Sequence, residues 1–198
     1  MEAMTPFDVV AFLFLVGWFI VGYFQGLTRR VFGIIAMVFA LLVAAQLREP
    51  LGSYLAREWQ TAPDEYGFMI AFGALFLGLW IALSIGIQLF YRPAPLLPRY
   101  PVLDEILGGV LGVVEGGILL VVLLLITDPY FLSATGKAAA PGEFGLLRSL
   151  HDLVNDSLTA SFLRHQVIAN LLAVLGGLFP HDVVETFRFA VAHRPPLA

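Results

Sequence analysis

Four apolar runs alternate with short polar segments along the first two thirds of the chain: Phe7 to Phe24, Val31 to Leu47, Gly67 to Tyr91 and Ile106 to Ile126. Each approaches the roughly 20 residues that a helix needs to cross about 30 Å of hydrocarbon. The second is the shortest, but it carries no charge. The first two runs are separated only by the segment QGLTRR, which predicts a hairpin connection. The second and third are joined by REPLGSYLAREWQTAPDEY, where Leu51, Tyr54, Leu55 and Trp59 recur at helical spacing and predict a short interfacial helix. Between the third and fourth, Pro93, Pro95, Pro98 and Pro101 predict an extended, stiff connector.

After Thr127 the pattern changes. The segment DPYFLSATGKAAAPGE reads as a loop. From Phe144 to Asp156, Phe144, Leu147, Leu150 and Val154 form one face, opposite Arg148, Asp152 and Asn155. From Leu158 to Leu175 the apolar set includes Phe162, Leu171, Leu172 and Leu175, with Gly176, Gly177 and Pro180 ending the helix. A last helix is expected from Asp182 to Ala192, with Val183, Val184, Phe187 and Val191 apolar. None of these is long enough to span, so they are expected on the membrane surface or capping the bundle. The expected organisation is all-α: a polytopic integral membrane bundle of four transmembrane helices over residues 1–127, then a loop and amphipathic helices over 128–198.

Composition agrees with this class. Of 198 residues 59% are hydrophobic and only 13% charged, against roughly a quarter charged in soluble domains. A net charge of −4 lacks the basic footprint that nucleic acid requires. The absence of cysteine excludes disulfides, thiolate nucleophiles and Cys-ligated metals. The first residues, MEAMTPFD, have no Lys or Arg, and no cleavage pattern follows, so the first run is expected to be a retained span. Arg29, Arg30, Arg92 and Arg99 fall in loops on one side. Arg48 and Arg57 fall on the other, among Glu49, Glu58, Asp64 and Glu65. The positive-inside rule then makes the first side cytoplasmic and puts both termini outside.

Small residues recur every fourth position within the spans. The fourth carries Gly108, Gly112 and Gly116, and the third Ala74, Gly78, Ala82 and Gly86. The second has Ala36, Ala40 and Ala44 with Gly33 nearby, and Gly22 and Gly26 close the first. Helices in lipid associate by close packing, which small residues permit. Spans three and four are therefore expected to meet along their small faces, either within one chain or as a seam between copies. Glu115 lies near the middle of the fourth span, where a carboxylate costs roughly 2.5–3.5 kcal/mol. With no Lys, Arg or His inside any run, no counter-charge is expected at that depth, which leaves Ser84 and Gln88 as candidate partners. At about 100° per residue, Asp104 and Glu115 share the face of the glycines, so that face points into protein. Two readings of Glu115 stay open: a proton- or cation-linked site, or a neutral acid bonded across a helix interface. Asp8, at the outer end of the first span, reads as a helix N-cap.

Catalytic chemistry finds no support in the sequence. His151, Asp152, Asp156, Ser157, Ser161, His165, His181 and Asp182 are scattered through the tail without a G-x-S-x-G or H-E-x-x-H pattern. No nucleotide-binding fingerprint occurs, and no cofactor or metal is expected.

The chain resembles the colicin V production protein family of bacterial inner-membrane proteins. The resemblance covers about residues 5 to 127 and rests on three features. These are Asp8 at the start of the first span, the hairpin Gly26, Leu27, Thr28, Arg29, and the series Asp104, Leu107, Gly108, Gly112, Gly116. Glu105 and Glu115 stand where the family pattern favours arginine, so no role is carried over to them. The resemblance implies a role in colicin V production or export and in the bacterial envelope. The expected function is a non-enzymatic scaffold or accessory protein of the inner membrane. Its expected partners are the lipid bilayer and either other membrane proteins or further copies of itself. The alternative is a small proton- or cation-linked transporter or channel component using Glu115.

Overall fold

The computed structural model describes residues 5–58, 64–90, 97, 99–133, 149, 153, 154, 157–179, 184 and 185. Three long helices dominate: α1 (Pro6–Glu58), α2 (Asp64–Phe90) and α3 (Pro101–Ser133). A short helix α4 (Leu158–Phe162) runs through a π-helical stretch (Leu163–Ile168) into α5 (Ala169–Leu175), which ends in a 3-10 turn (Gly176–Leu178). The chain is all-α among the described residues, and α1, α2 and α3 are each long and apolar enough to cross a membrane.

A straight helix of 53 residues would extend about 80 Å, far more than a bilayer's hydrocarbon. Gly26 breaks it, at φ 74° and ψ 171°, a conformation essentially reserved for glycine. The two arms fold back on each other. Trp18 and Arg30 would stand about 18 Å apart along a continuous helix, yet the Arg30 guanidinium lies 4.9 Å from the Trp18 ring centre. The first arm runs antiparallel to α3, since Gly22 meets Gly108 while the earlier Trp18 meets Gly112 and Gly116. The second arm runs alongside α3 in the same sense, from Leu27 at Asp104 to Gly33 at Glu115. The hairpin expected from QGLTRR is thus made at a single residue.

The pairing of helices corrects one expectation. Spans three and four, here α2 and α3, do not meet along their small faces. Both pack instead on α1 and barely touch each other. The glycine face of α3 is taken by the first arm of α1: a Cβ added at Gly108 would stand 2.6 Å from the Gly22 carbonyl oxygen and 2.8 Å from the Gly26 Cα. Glycine on both sides lets the backbones touch, which is how helices gain packing energy in lipid. Among the described residues the α2 stripe has no such neighbour. Ala74, Gly78 and Ala82 are exposed, and nothing lies within 4 Å of a Cβ built at Gly78 or Gly86.

Two boundaries also differ from the sequence reading. Residues 51–58 are not a separate interfacial helix but the end of α1, which continues through Pro50. Proline removes one backbone hydrogen bond, and close packing holds the helix beyond it: a Cβ at Gly52 would lie 2.9 Å from the Phe68 Cα, and one at Gly67 3.0 Å from the Gly52 oxygen. Trp59 lies outside the described residues. Residues 128–133, expected to open a loop, belong to α3, which continues to Ser133; the rest of that segment lies outside the described residues. The helices expected over 144–156 and 182–192 fall largely outside the described residues, as do His151, Asp152, Asp156, His181 and Asp182.

The core runs through the bundle from Ala11 and Met37 to Val121 and Leu124, and reaches Ala160 and Ile168 of the tail. Polar groups fasten the tail to the bundle. Thr5 and Asp8 form a capping box at the start of α1, in which Asp8 Oδ2 accepts from the Thr5 backbone N–H at 2.9 Å. Asp8 is therefore not the N-cap itself but the third residue of the helix. Its Oδ1 accepts from the Thr159 N–H at 2.8 Å and the Thr159 hydroxyl at 2.7 Å, covering the N-terminus of α4 as well. At the end of α3, buried Asp128 accepts from Nε and Nη2 of Arg164 at 2.7 and 2.8 Å, a two-pronged pair.

Candidate functional site

Three of the buried charged residues, Arg30, Asp104 and Glu115, sit toward the end where Gly26 turns the chain. Gly26 leaves the second arm of α1 with orphan N–H groups at its N-terminus. Asp104, in the first turn of α3, supplies an acceptor: its Oδ2 takes the Leu27 N–H at 3.3 Å and its Oδ1 the Leu97 N–H at 3.4 Å. The family-motif residues Asp104, Gly108 and Gly26 are thus in direct contact, with Arg29 one turn further along.

Glu115 has a counter-charge, contrary to the sequence expectation. Arg30 Nη1 donates to Glu115 Oε2, and both residues are almost wholly buried, 2% and 4% exposed. Sequence reasoning assigned Arg30 to a cytoplasmic turn. In the folded chain Arg30 already belongs to the second arm of α1, which runs parallel to α3 and carries the side chain inward. Gly33, one turn further on, makes room: a Cβ there would stand 3.0 Å from Glu115 Oε1. The signal in the sequence was the pair Arg29 and Arg30. Adjacent helical positions lie about 100° apart, so both cannot face the same way. The ring of Trp18 covers the guanidinium and adds a cation–π contact.

The pair forms the floor of a cavity of about 280 Å³ between α1 and α2. Ser84 and Gln88, the candidate partners of Glu115, line this same cavity, as do Gln25, Arg29 and Trp80. Neither Ser84 nor Gln88 is the hydrogen-bond partner of Glu115; that place belongs to Arg30. Trp80 stacks on Phe76 at 6.2 Å and leans on Trp18 at 6.3 Å, which walls the inner side with aromatic rings. The other predicted residues lie elsewhere. Gly112 and Gly116 pack on Trp18 and Leu15, and Ala74, Gly78 and Ala82 face outward. Asp8 is joined to the tail, at the opposite end of the first arm.

Buried ion pairs rarely add net stability, but removing one partner costs about 3–5 kcal/mol because the other is left unpaired. Glu115 and Arg30 are accordingly bound to each other as a unit. Among the described residues no group of three or more His, Cys, Asp or Glu side chains is placed to hold a metal ion.

Comparison with known proteins agrees with this architecture. The family model described as colicin V production protein matches residues 7–165. The chain belongs to the colicin V production protein family. The match extends past the four-run core to the π-helical stretch, so it takes in both the Asp8–Thr159 contact and the Asp128–Arg164 pair. No curated protein and no solved structure matches the chain. Membership in the family fits a membrane protein with an accessory role in colicin V production.

Proposed function

We propose that this chain is a non-enzymatic scaffold or accessory subunit of the bacterial inner membrane, serving colicin V production or export through contacts with other membrane helices. The observation that carries this reading is the uncovered small-residue face of α2. Only 17% of the most apolar stretch of α2 is buried, against 50% for α3. Ala74, Gly78, Ala82 and Gly86 present to the bilayer the kind of surface that the glycines of α3 bury inside the chain. A transmembrane helix of another envelope protein, or of a second copy, fits that face. Both termini are extracytoplasmic in this reading. Arg29, Arg92 and Arg99 support it by charge, whereas Arg30 is neutralised by Glu115 and counts for less.

Gly78→Leu tests the proposal. A side chain there meets nothing among the described residues, so the fold is expected to keep its thermal stability. In mild detergent, loss of the co-purifying chain or of the oligomer mass is the expected result. A particle of unchanged mass and composition would refute the interface. Gly112 is unsuitable for this test, because it packs against α1 within the chain.

A proton- or cation-linked transporter using Glu115 is the second reading, favoured by the cavity beside that carboxylate. The bond to Arg30 speaks against it, since a guanidinium opposes a cation at the same site. Loss of a proton-linked flux in Glu115→Gln, with assembly intact, would favour this reading over the scaffold.

A further inference from the structure

We infer that the cavity beside Arg30 binds a phosphate group, presented by the headgroup of an anionic membrane lipid that enters sideways between α2 and the hairpin of α1. Three buried side-chain nitrogens lack a hydrogen-bond partner among the described residues: Arg30 Nε, Arg30 Nη2 and Trp80 Nε1. Both residues line this cavity. All three nitrogens can only donate, so the groups missing from the site are acceptors. Buried polar groups are otherwise almost always paired. Three orphans of one kind, on two residues that line one cavity, mark a place for an oxyanion.

The donors are also arranged for one. Nε and Nη2 form the side edge of a guanidinium, which offers two parallel N–H groups. Arg164 uses this same edge to hold the Asp128 carboxylate at 2.7 and 2.8 Å. Arg30 is engaged through Nη1 alone. Glu115 therefore anchors the guanidinium from one side and leaves its two-pronged edge to another partner. Charge selects the class of that partner. The ionisable residues lining the cavity are Arg29, Arg30 and Glu115, which sum to one positive charge. A lipid phosphodiester carries one negative charge and complements it.

Access points to the lipid form. Ile81 and Ile85 line the cavity, yet each is 51% exposed, so the apolar lip of the site is also lipid-facing surface. Because α2 and α3 barely touch, no helix among the described residues closes this side. A volume of about 280 Å³ takes a headgroup, leaving acyl chains to lie outside along the isoleucines. Free inorganic phosphate offers the same acceptor chemistry, and the experiment separates the two sources.

Purified full-length chain in a neutral detergent would be titrated with phosphatidylglycerol, with diacylglycerol, which lacks the phosphate, and with inorganic phosphate. Adducts would be read by native mass spectrometry and the unfolding temperature would be followed. The expected result is saturable binding of phosphatidylglycerol and none of diacylglycerol. Glu115→Gln removes the competing negative charge, so affinity should rise by about tenfold, the range of one charge-assisted hydrogen bond. The paired variant Arg30→Gln with Glu115→Gln strands no buried charge and should weaken binding by about tenfold or more. Trp80→Phe keeps the ring, loses one donor, and should weaken binding several-fold. Saturable binding of inorganic phosphate that is likewise lost in the paired variant would keep the site and assign it to the free anion. Equal binding of phosphatidylglycerol and diacylglycerol would overturn the inference. So would affinity unchanged in the paired variant and in Trp80→Phe, or a loss of affinity in Glu115→Gln.

Discussion

Replacing Gly26 by alanine distinguishes a broken helix from a continuous one by the sign of its effect. Were residue 26 helical, the change would stabilise α1 by about 1 kcal/mol, since alanine is the better helix former. At φ 74° and ψ 171° alanine is instead forced into a region reserved for glycine, at a cost of about 1–3 kcal/mol. The new Cβ would also stand 2.7 Å from Asp104 Oδ2. Relieving that contact pushes away the carboxylate that accepts the Leu27 N–H, and losing such a cap costs about 1 kcal/mol more. Together these give a destabilisation of about 2–4 kcal/mol. Reversible unfolding in mixed detergent micelles, monitored by helical circular dichroism, measures it. A double-mutant cycle with Asp104→Ala separates the two contributions: the cap is lost only once, so the double variant should be less destabilised than the sum. A stabilising Gly26→Ala, or strict additivity with Asp104→Ala, would refute the account of the hairpin.

Two further perturbations address the tail. Asp8→Ala removes the acceptor shared by Thr5 and Thr159; it should cost about 1–2 kcal/mol and raise amide hydrogen exchange at Thr159 and Ala160, and unchanged protection there would contradict the shared cap. Asp128→Ala takes the two-pronged acceptor from buried Arg164 and should destabilise by about 3–5 kcal/mol, whereas Asp128→Leu combined with Arg164→Met should be clearly less destabilised; equal losses in the two variants would show that the ion pair is not the cause.

What was legible in the sequence follows from how local each signal is. The apolar runs were readable because hydrocarbon thickness sets their length, and the turn at Gly26 because six residues leave no room for another path. The glycines of α3 announced a close approach but not its partner. Gly108 needs a backbone beside it, and the sequence offered three small stripes, at Gly22 and Gly26, at Ala36, Ala40 and Ala44, and along α2; chain reversal at Gly26 decides for the first. Arg30 was misplaced because hydropathy counts an arginine at a run boundary as loop, while its side chain reaches the level of Glu115 from the first turn of a helix. The π-helical stretch over Leu163–Ile168 left no sequence signal, since it depends on wider winding that brings Arg164 to Asp128. The cavity depends on α2 standing apart from α3, and no periodicity encodes that separation.

Arg29 apart, which lines the cavity, the positions that carry the family pattern serve the build of the bundle. Gly26 turns the chain, Asp104 covers the N–H group that the turn exposes, Gly108 lets α3 touch the turn, and Asp8 ties the tail to the first arm. A match to this family therefore testifies first to a way of folding a hairpin against a third helix. None of these four side chains lines the cavity. The groups that do include Arg29 from the family pattern, together with Arg30, Glu115, Trp80, Ser84 and Gln88, which are set in place by that frame. Asp8 and Asp128 fasten the outer end of the core to the tail, whereas Arg30 and Glu115 join α1 to α3 and border an open space. A chain that needed only rigidity would gain more from an apolar pair at this depth, because desolvating two charges offsets most of their attraction. Retaining the charges where three further donors lack acceptors makes sense if something negative comes to them. In the proposed reading the outward face of α2 and the cavity behind it divide the work: one would meet a neighbouring helix, the other a phosphate from the surrounding bilayer.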